Sequence, residues 1–221
     1  AAKDAKDIVA QFQKENDLYA EVKSKVLTDQ QSLGKNIQEL KNFLKDATID
    51  DIVIVFVAGH GLLDAQYDYF YGTHDVDFNN PGKNGLSYER LESILDGIAP
   101  LKKILIMDTC HSGEVEEEEL LVSEEDVVED DDVMFRAVGP ALTTIEASPT
   151  KMMKELFSDL RRGTGTTVLS SAGGAEFAME SKDWKNGLFT YSLLFGLRNN
   201  GADLNEDGKV MLSELQIYVT D

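Results

Sequence analysis

The chain holds one cysteine, Cys110, and three histidines, His60, His74 and His111. A cysteine becomes a strong nucleophile as its thiolate, and a nearby imidazole can take the proton. The two most apolar runs of the chain lead into these residues. Residues 52–58 (IVIVFVA) pass into Gly59-His60-Gly61, and residues 103–107 (KILIM) pass into Asp108-Thr109-Cys110-His111-Ser112-Gly113. If the two runs are neighbouring strands, His60 and Cys110 share one edge of a sheet and can meet. The chemistry would then be nucleophilic attack by a thiolate, with an oxyanion to be stabilised. Gly59 and Gly61 let backbone approach a substrate closely, and the N–H groups of Gly61 and Cys110 are candidate oxyanion donors. His111 is a poorer partner, because adjacent residues on extended backbone face opposite sides. His74 is expected to orient its loop through Asp75 or Asp77. On position alone, the plainer alternatives are a buried Cys110 at a strand end and a structural loop histidine at 60.

The elements that must position this pair can be read from periodicity. Runs such as 52–58 and 103–107 suit strands buried on both faces of a parallel sheet, and 166–171 (TTVLSS) is a third. Residues 18–27 (LYAEVKSKVL) alternate as a strand does. Residues 67–72 read as a short hairpin arm, and 79–85 (NNPGKNG) is turn chemistry. Helical periodicity marks 1–15, 33–44, 86–95, 150–162, 187–197 and 212–219. Strands alternating with helices argue an α/β fold, a mainly parallel sheet with helices on both faces. Such sheets carry function at the carboxyl ends of their strands.

Composition narrows the function. The 221 residues include 41 acids and 21 bases, a net charge of −20. Such a surface repels nucleic acid and anionic membranes. No apolar run approaches the roughly 20 residues of a membrane span, and no charged-then-apolar leader opens the chain. A lone cysteine excludes an internal disulfide and multi-cysteine zinc sites, and weakly favours a cytoplasmic location.

VFVAGHG at 55–61 and ILIMDTCHSG at 104–113 resemble the two signature blocks of caspase-like cysteine peptidases, in the metacaspase and bacterial caspase-like branch (peptidase family C14). The likeness extends over most of the chain, through 18–30, 71–77 and 187–197. It implies the caspase–haemoglobinase fold in a single domain: a large-subunit-like part at 1–113, a linker at 114–149 and a small-subunit-like part at 150–221. It implies His60 as base and Cys110 as nucleophile, cleaving protein or peptide substrates through a thioester, with no cofactor needed for the chemistry. Asp108 holds the position of the metacaspase acid two residues before the cysteine. A carboxylate there would favour Arg or Lys side chains in the first specificity pocket, with Ser170 and Ser171 of the substrate strand beside it. Asp108 as a loop cap is the plainer alternative. Phe177 and Trp184 are expected at outer subsites, Phe189 and Tyr191 in the core. The family sheet normally opens with a strand before the first helix, whereas this chain opens in the helix. Relatives of this branch tend to be monomers or weak dimers. A catalytically silent interaction domain is the alternative reading.

Twelve of the acids, with no base, lie at 114–132. Such blocks self-repel and are usually disordered. The tract falls at the family's linker, and Arg136 and Lys151 flank it as candidate self-cleavage points. Residues 203–214 fit an EF-hand loop: Asp203, Asn205 and Asp207 at positions one, three and five, the Lys209 carbonyl at seven and Glu214 at twelve. Calcium is the one cofactor these residues raise. The alternatives are an Asx-rich turn capping helix 212–219 or a calcium-binding module in which the cysteine is incidental.

Overall fold

A computed structural model describes residues 1–14, 18–66, 68–112, 133–135, 164–171, 179–181, 186–198 and 200–220. The acidic tract 114–132, helix 150–162, Arg136, Lys151, Phe177 and Trp184 lie outside the described residues.

The helices are α1 (Ala2–Lys14), α2 (Gln38–Leu44), α3 (Tyr88–Leu95), α4 (Leu188–Arg198) and α5 (Leu212–Thr220). The strands are β1 (Ile52–Leu63), β2 (Tyr69–Tyr71), β3 (Leu86–Ser87), β4 (Lys102–Ser112), β5 (Val133–Phe135), β6 (Thr166–Ser170) and β7 (Met179–Ser181). Five strands form one sheet in the order β3-β2-β1-β4-β6, and β5 pairs with β7 separately. β1, β4 and β6 are parallel; β2 and β3 join as antiparallel strands.

The Val- and Ile-rich strands alternate between two apolar layers, as a sheet covered on both faces requires. On one face Val53, Leu105 and Met107 pack with Leu91, Ile94 and Leu95 of α3. On the other, Ile106 and Leu169 pack with Phe189 and Leu193 of α4 and Leu215 of α5. α3 starts where the Ser87 hydroxyl accepts from Arg90 N–H at 3.2 Å, an N-cap that satisfies an otherwise orphaned donor. At the start of β4, Lys103 is buried, and its Nζ donates to the carbonyls of Leu95 at 2.9 Å and Thr164 at 3.1 Å.

Far-separated parts of the chain meet at α1. The carboxylate of Asp4 is buried and accepts from the Asn186 side chain at 2.9 Å and Gly187 N–H at 3.3 Å. It therefore anchors the amino end of α4, where the helix dipole favours a negative charge. Gln11 accepts from Arg198 at the other end of α4, at 3.1 Å.

Three expectations are corrected. Residues 18–27 form no strand. Alternation alone does not make a strand, which needs a ladder partner for its N–H and C=O groups, and among the described residues none pairs with this segment. β1 and β4 do not end at Ala58 and Met107 but run on through His60 and Cys110. Tyr191 is 36% exposed beside Phe195 rather than in the core, whereas Phe189 is buried as expected. The reason is helical phase: Phe189 and Leu193 are i, i+4 neighbours that pack on the sheet, while Tyr191 falls on another face of α4.

Candidate active site

The parallel ladder between β1 and β4 runs without a bulge from Ile52↔Lys102 to Leu62↔Ser112. Its ninth step pairs His60 with Cys110. Two residues fifty positions apart therefore occupy adjacent places near the carboxyl ends of two central strands. Register partners share a face of the sheet. The position of His111 is registered with Gly61, one step further and on the opposite face.

Gly59 reaches this point with φ +150°, a backbone conformation that side-chain-bearing residues rarely adopt. Gly61 is buried, and it pairs with His111 of β4 on one side and Tyr71 of β2 on the other. His60 itself is partly buried. Its carbonyl accepts from Gly72 N–H at 2.8 Å, and the ring of Phe78 stands edge-on to the imidazole with centroids 6.0 Å apart and planes at 66°.

Asp108 lies on the α4 side of β4, two residues before Cys110 in the strand. It is wholly buried, and Oδ2 accepts from the Thr190 hydroxyl of α4 at 2.5 Å. Thr109, on the opposite face, is hydrogen-bonded to the hydroxyl of Tyr69 at 3.3 Å. Next to it, the hydroxyl of Tyr71 donates to the Met107 sulfur at 3.3 Å, and burial pushes this phenol's pKa well above its ordinary value.

Ser170 and Ser171 stand at the end of β6, beside β4. Ser170 is registered with Met107, on the face away from Asp108. Ser171 N–H donates to the Met107 carbonyl at 2.9 Å, and its hydroxyl to the Thr109 carbonyl at 3.4 Å.

The loop after β2 is tied by Asp75 and by His74, whose N–H donates to the Ser32 carbonyl at 2.8 Å while its side chain is exposed. Asp75 accepts from Gly34 N–H at 3.0 Å and from the Thr73 hydroxyl at 3.1 Å. The Gly34 donor is the leading cause that holds this carboxyl below its ordinary pKa, burial opposing it and the Thr73 hydroxyl assisting. A groove lined by Glu89, Glu92, Ser93, Asp96 and Thr164 lies beside the amino end of β6. Thr166 there is registered with Lys103. The seven residue steps of β4 from Lys103 to Cys110 put this groove roughly 20 Å from the histidine–cysteine pair.

Residues 203–214 form a closed turn with Gly208 at φ +82°. Asp203 accepts from the N–H groups of Asp207 and Gly208, Asn205 from Asp207, and Asp207 from Lys209. Glu214 accepts from Asn205 and Met211 N–H. The oxygen donors suit a hard cation in kind. As arranged they serve the loop's own backbone, and among the described residues no group of three or more acids, histidines or cysteines is placed to hold a metal ion.

Sequence reasoning missed Thr190 and Phe78. Each is far along the chain from the residue it touches, and neither sits in a motif.

No curated protein matches the chain. Among solved structures, the crystal structure of protein GSU0716 from Geobacter sulfurreducens is similar, with a TM-score of 0.54 and 18% identity over 89% of this chain and 72% of that one. That likeness concerns the fold. The family model described as the caspase domain matches residues 1–220. With its mainly parallel sheet between two helical layers, the chain belongs to the caspase-domain family of cysteine peptidases, peptidase family C14.

Proposed function

We propose that this chain is a cysteine endopeptidase that cleaves after Arg or Lys, with Cys110 as nucleophile and His60 as general base. The observation that carries the reading is the registered pair His60↔Cys110 at the carboxyl ends of two central strands. The family supplies peptide and protein substrates as a class.

In the proposed reaction, the His60 imidazole takes the thiol proton, and the sulfur adds to the scissile carbonyl carbon. The negative oxygen is stabilised by the backbone N–H groups of Cys110 and Gly61. Collapse of this intermediate breaks the C–N bond, and His60 returns the proton to the departing amine. Water, deprotonated by His60, then hydrolyses the thioester and restores the thiol.

Asp108 is the proposed acid of the first specificity pocket. A buried carboxylate two residues before Cys110 on β4 would meet a guanidinium or ammonium group through charge-assisted hydrogen bonds. Ser171 is the nearer of the two proposed pocket serines, since Ser170 stands on the Met107 face. No step runs through calcium. The loop 203–214, with Asp203, Asn205, Asp207, Lys209 and Glu214, is at most a modulating site in this reading. No described helix is long and apolar enough to cross a membrane.

The test is hydrolysis of matched fluorogenic peptides ending in Arg, Lys or Asp, by the wild type, Cys110→Ala and His60→Ala, with calcium present or chelated. Cleavage after Arg and Lys that both variants abolish is the expected result. Cleavage after Asp alone would keep the peptidase and overturn the role of Asp108. Activity that survives Cys110→Ala would overturn the reading altogether.

A further inference from the structure

The turn at 73–84 places an aromatic ring against His60, although the ring itself is 43% exposed and adds little to the core. Three sets of contacts fix that turn. The first is at its root. Gly72 N–H donates to the His60 carbonyl, and a Cβ at position 72 would come within 3.3 Å of that oxygen and 3.4 Å of the His60 Cβ. The turn therefore leaves β2 in direct contact with the histidine, along a path that suits a residue without a side chain.

The second set crosses the base of the turn. The Thr73 hydroxyl donates to the Asn84 carbonyl at 2.8 Å, and the Asn84 amide donates to the Asp75 carbonyl at 3.2 Å. Asp75 also takes the Gly34 N–H, which fastens the turn to the segment before α2. The third set builds the tip. Asp77 accepts from Asn79 N–H through its side chain at 3.1 Å and from Asn80 N–H through its carbonyl at 2.9 Å. This is an Asx-type turn, in which a short acid side chain stands in for backbone. Phe78 is the residue it presents.

An exposed aromatic side chain on a turn so thoroughly tied is held in place more firmly than its own burial would hold it. Its partner there is the imidazole. An edge-on aromatic contact of this kind contributes modestly beyond area burial, and it depends on geometry. A contact that depends on the angle between the rings favours one orientation of the imidazole over the others.

We propose that Phe78 is a positioning residue for His60: it holds the imidazole in the orientation from which it serves the sulfur of Cys110. The proposal rests on the catalytic reading of His60. Phe78 touches the histidine and need not touch substrate. Its loss should therefore slow the chemical step and leave substrate binding alone.

The experiment compares wild type, Phe78→Ala and Phe78→Tyr in steady-state hydrolysis of an Arg-ended fluorogenic peptide, alongside NMR of the His60 ring protons in the same three proteins. Because Phe78 is exposed, none of these substitutions threatens the fold. For Phe78→Ala the expected result is a fall in kcat of about three- to tenfold, the range an aromatic pair supports, with KM unchanged. Phe78→Tyr should recover most of the loss. The His60 ring resonances should shift in Phe78→Ala, as a neighbouring ring current is removed, and stay near their wild-type positions in Phe78→Tyr. Unchanged kcat in Phe78→Ala, or a loss carried by KM, would overturn the proposal. So would His60 resonances that do not move. If the wild type cleaves no peptide, the catalytic reading fails on its own account, and the His60 side-chain rotamer, read from NOEs of its ring protons in wild type and Phe78→Ala, then decides whether Phe78 orients His60.

Discussion

Thr190 donates its hydroxyl to Asp108 at 2.5 Å, and both side chains are sealed from solvent. The bond joins α4 to β4 across 82 residues of sequence. Asp108 stands two residues before Cys110 along β4. A buried carboxylate that loses a donor keeps its desolvation cost, so the loss is larger than the bond's net worth. Thr190→Val should therefore lower stability by about 1.5–3 kcal/mol, read from the urea midpoint. An unchanged midpoint would show that other donors satisfy the carboxylate. Asp108→Asn separates structure from specificity. It should cut kcat/KM for Arg-ended peptides at least about tenfold, the loss expected when a charge-assisted bond to the substrate is removed, while an uncharged substrate is affected much less.

A buried acid ties the amino-terminal helix to the start of α4. Asp4 is 1% exposed and accepts from the Asn186 side chain at 2.9 Å and from Gly187 N–H at 3.3 Å. Asp4→Ala removes an acceptor from both and leaves the buried Gly187 N–H unmet, although Asn186 keeps its bond to Asp7. A loss of about 1–3 kcal/mol follows. Asp4→Asn keeps one acceptor oxygen and should cost less. Equal losses in the two variants, measured by chemical denaturation, would show that charge rather than hydrogen bonding holds α1 on α4.

The pH dependence of the turn at 73–84 has a definite sign. Asp75 titrates below its ordinary value of 3.8, led by the Gly34 N–H bond. A carboxyl with a lowered folded-state pKa stabilises the fold above its unfolded-state pKa, and that stabilisation is lost as pH falls through the folded-state value. Asp75→Asn should therefore be less stable than wild type at pH 7. The difference should close at pH values below 3.8, as the wild-type carboxyl takes up its proton. Thermal melts of both proteins across that range would check it. A gap that persisted at low pH would mean that the asparagine fails for steric reasons instead.

Much of this was legible in the sequence because strong local signals agreed. Runs of β-branched residues marked β1 and β4, and the glycines and the cysteine at their ends marked where chemistry could sit. A parallel register follows from such strands once they are neighbours, and it sets His60 against Cys110. The signals failed where partners decide. Residues 18–27 alternate as well as a strand does, yet alternation is silent about what pairs with them. The phase of α4 sent Phe189 inward and Tyr191 outward, a distinction of two residues that a generally apolar helix hides. Thr190 and Phe78 act only by touching residues far away in the chain, which no spacing rule records.

Gly59 sets the approach to His60. Its φ of +150° lies where an L side chain is strained, but a Cβ built there would meet nothing within 4 Å. Gly59→Ala is therefore opposed by backbone conformation and not by collision, at a cost of about 1–2 kcal/mol. The chain has two ways to respond. It can keep the backbone and bear the strain, which lowers the unfolding midpoint and leaves kcat alone. Or it can relax φ toward an ordinary strand value, which recovers stability and turns the next residue, His60, away from the position opposite Cys110. The ladder on β4 runs on past this point to Leu62↔Ser112 and opposes relaxation. The expected outcome is thus a lower midpoint with kcat largely kept. A variant as stable as wild type but inactive would show that the strand gives way before the strain does, and that Gly59 is kept to aim the histidine.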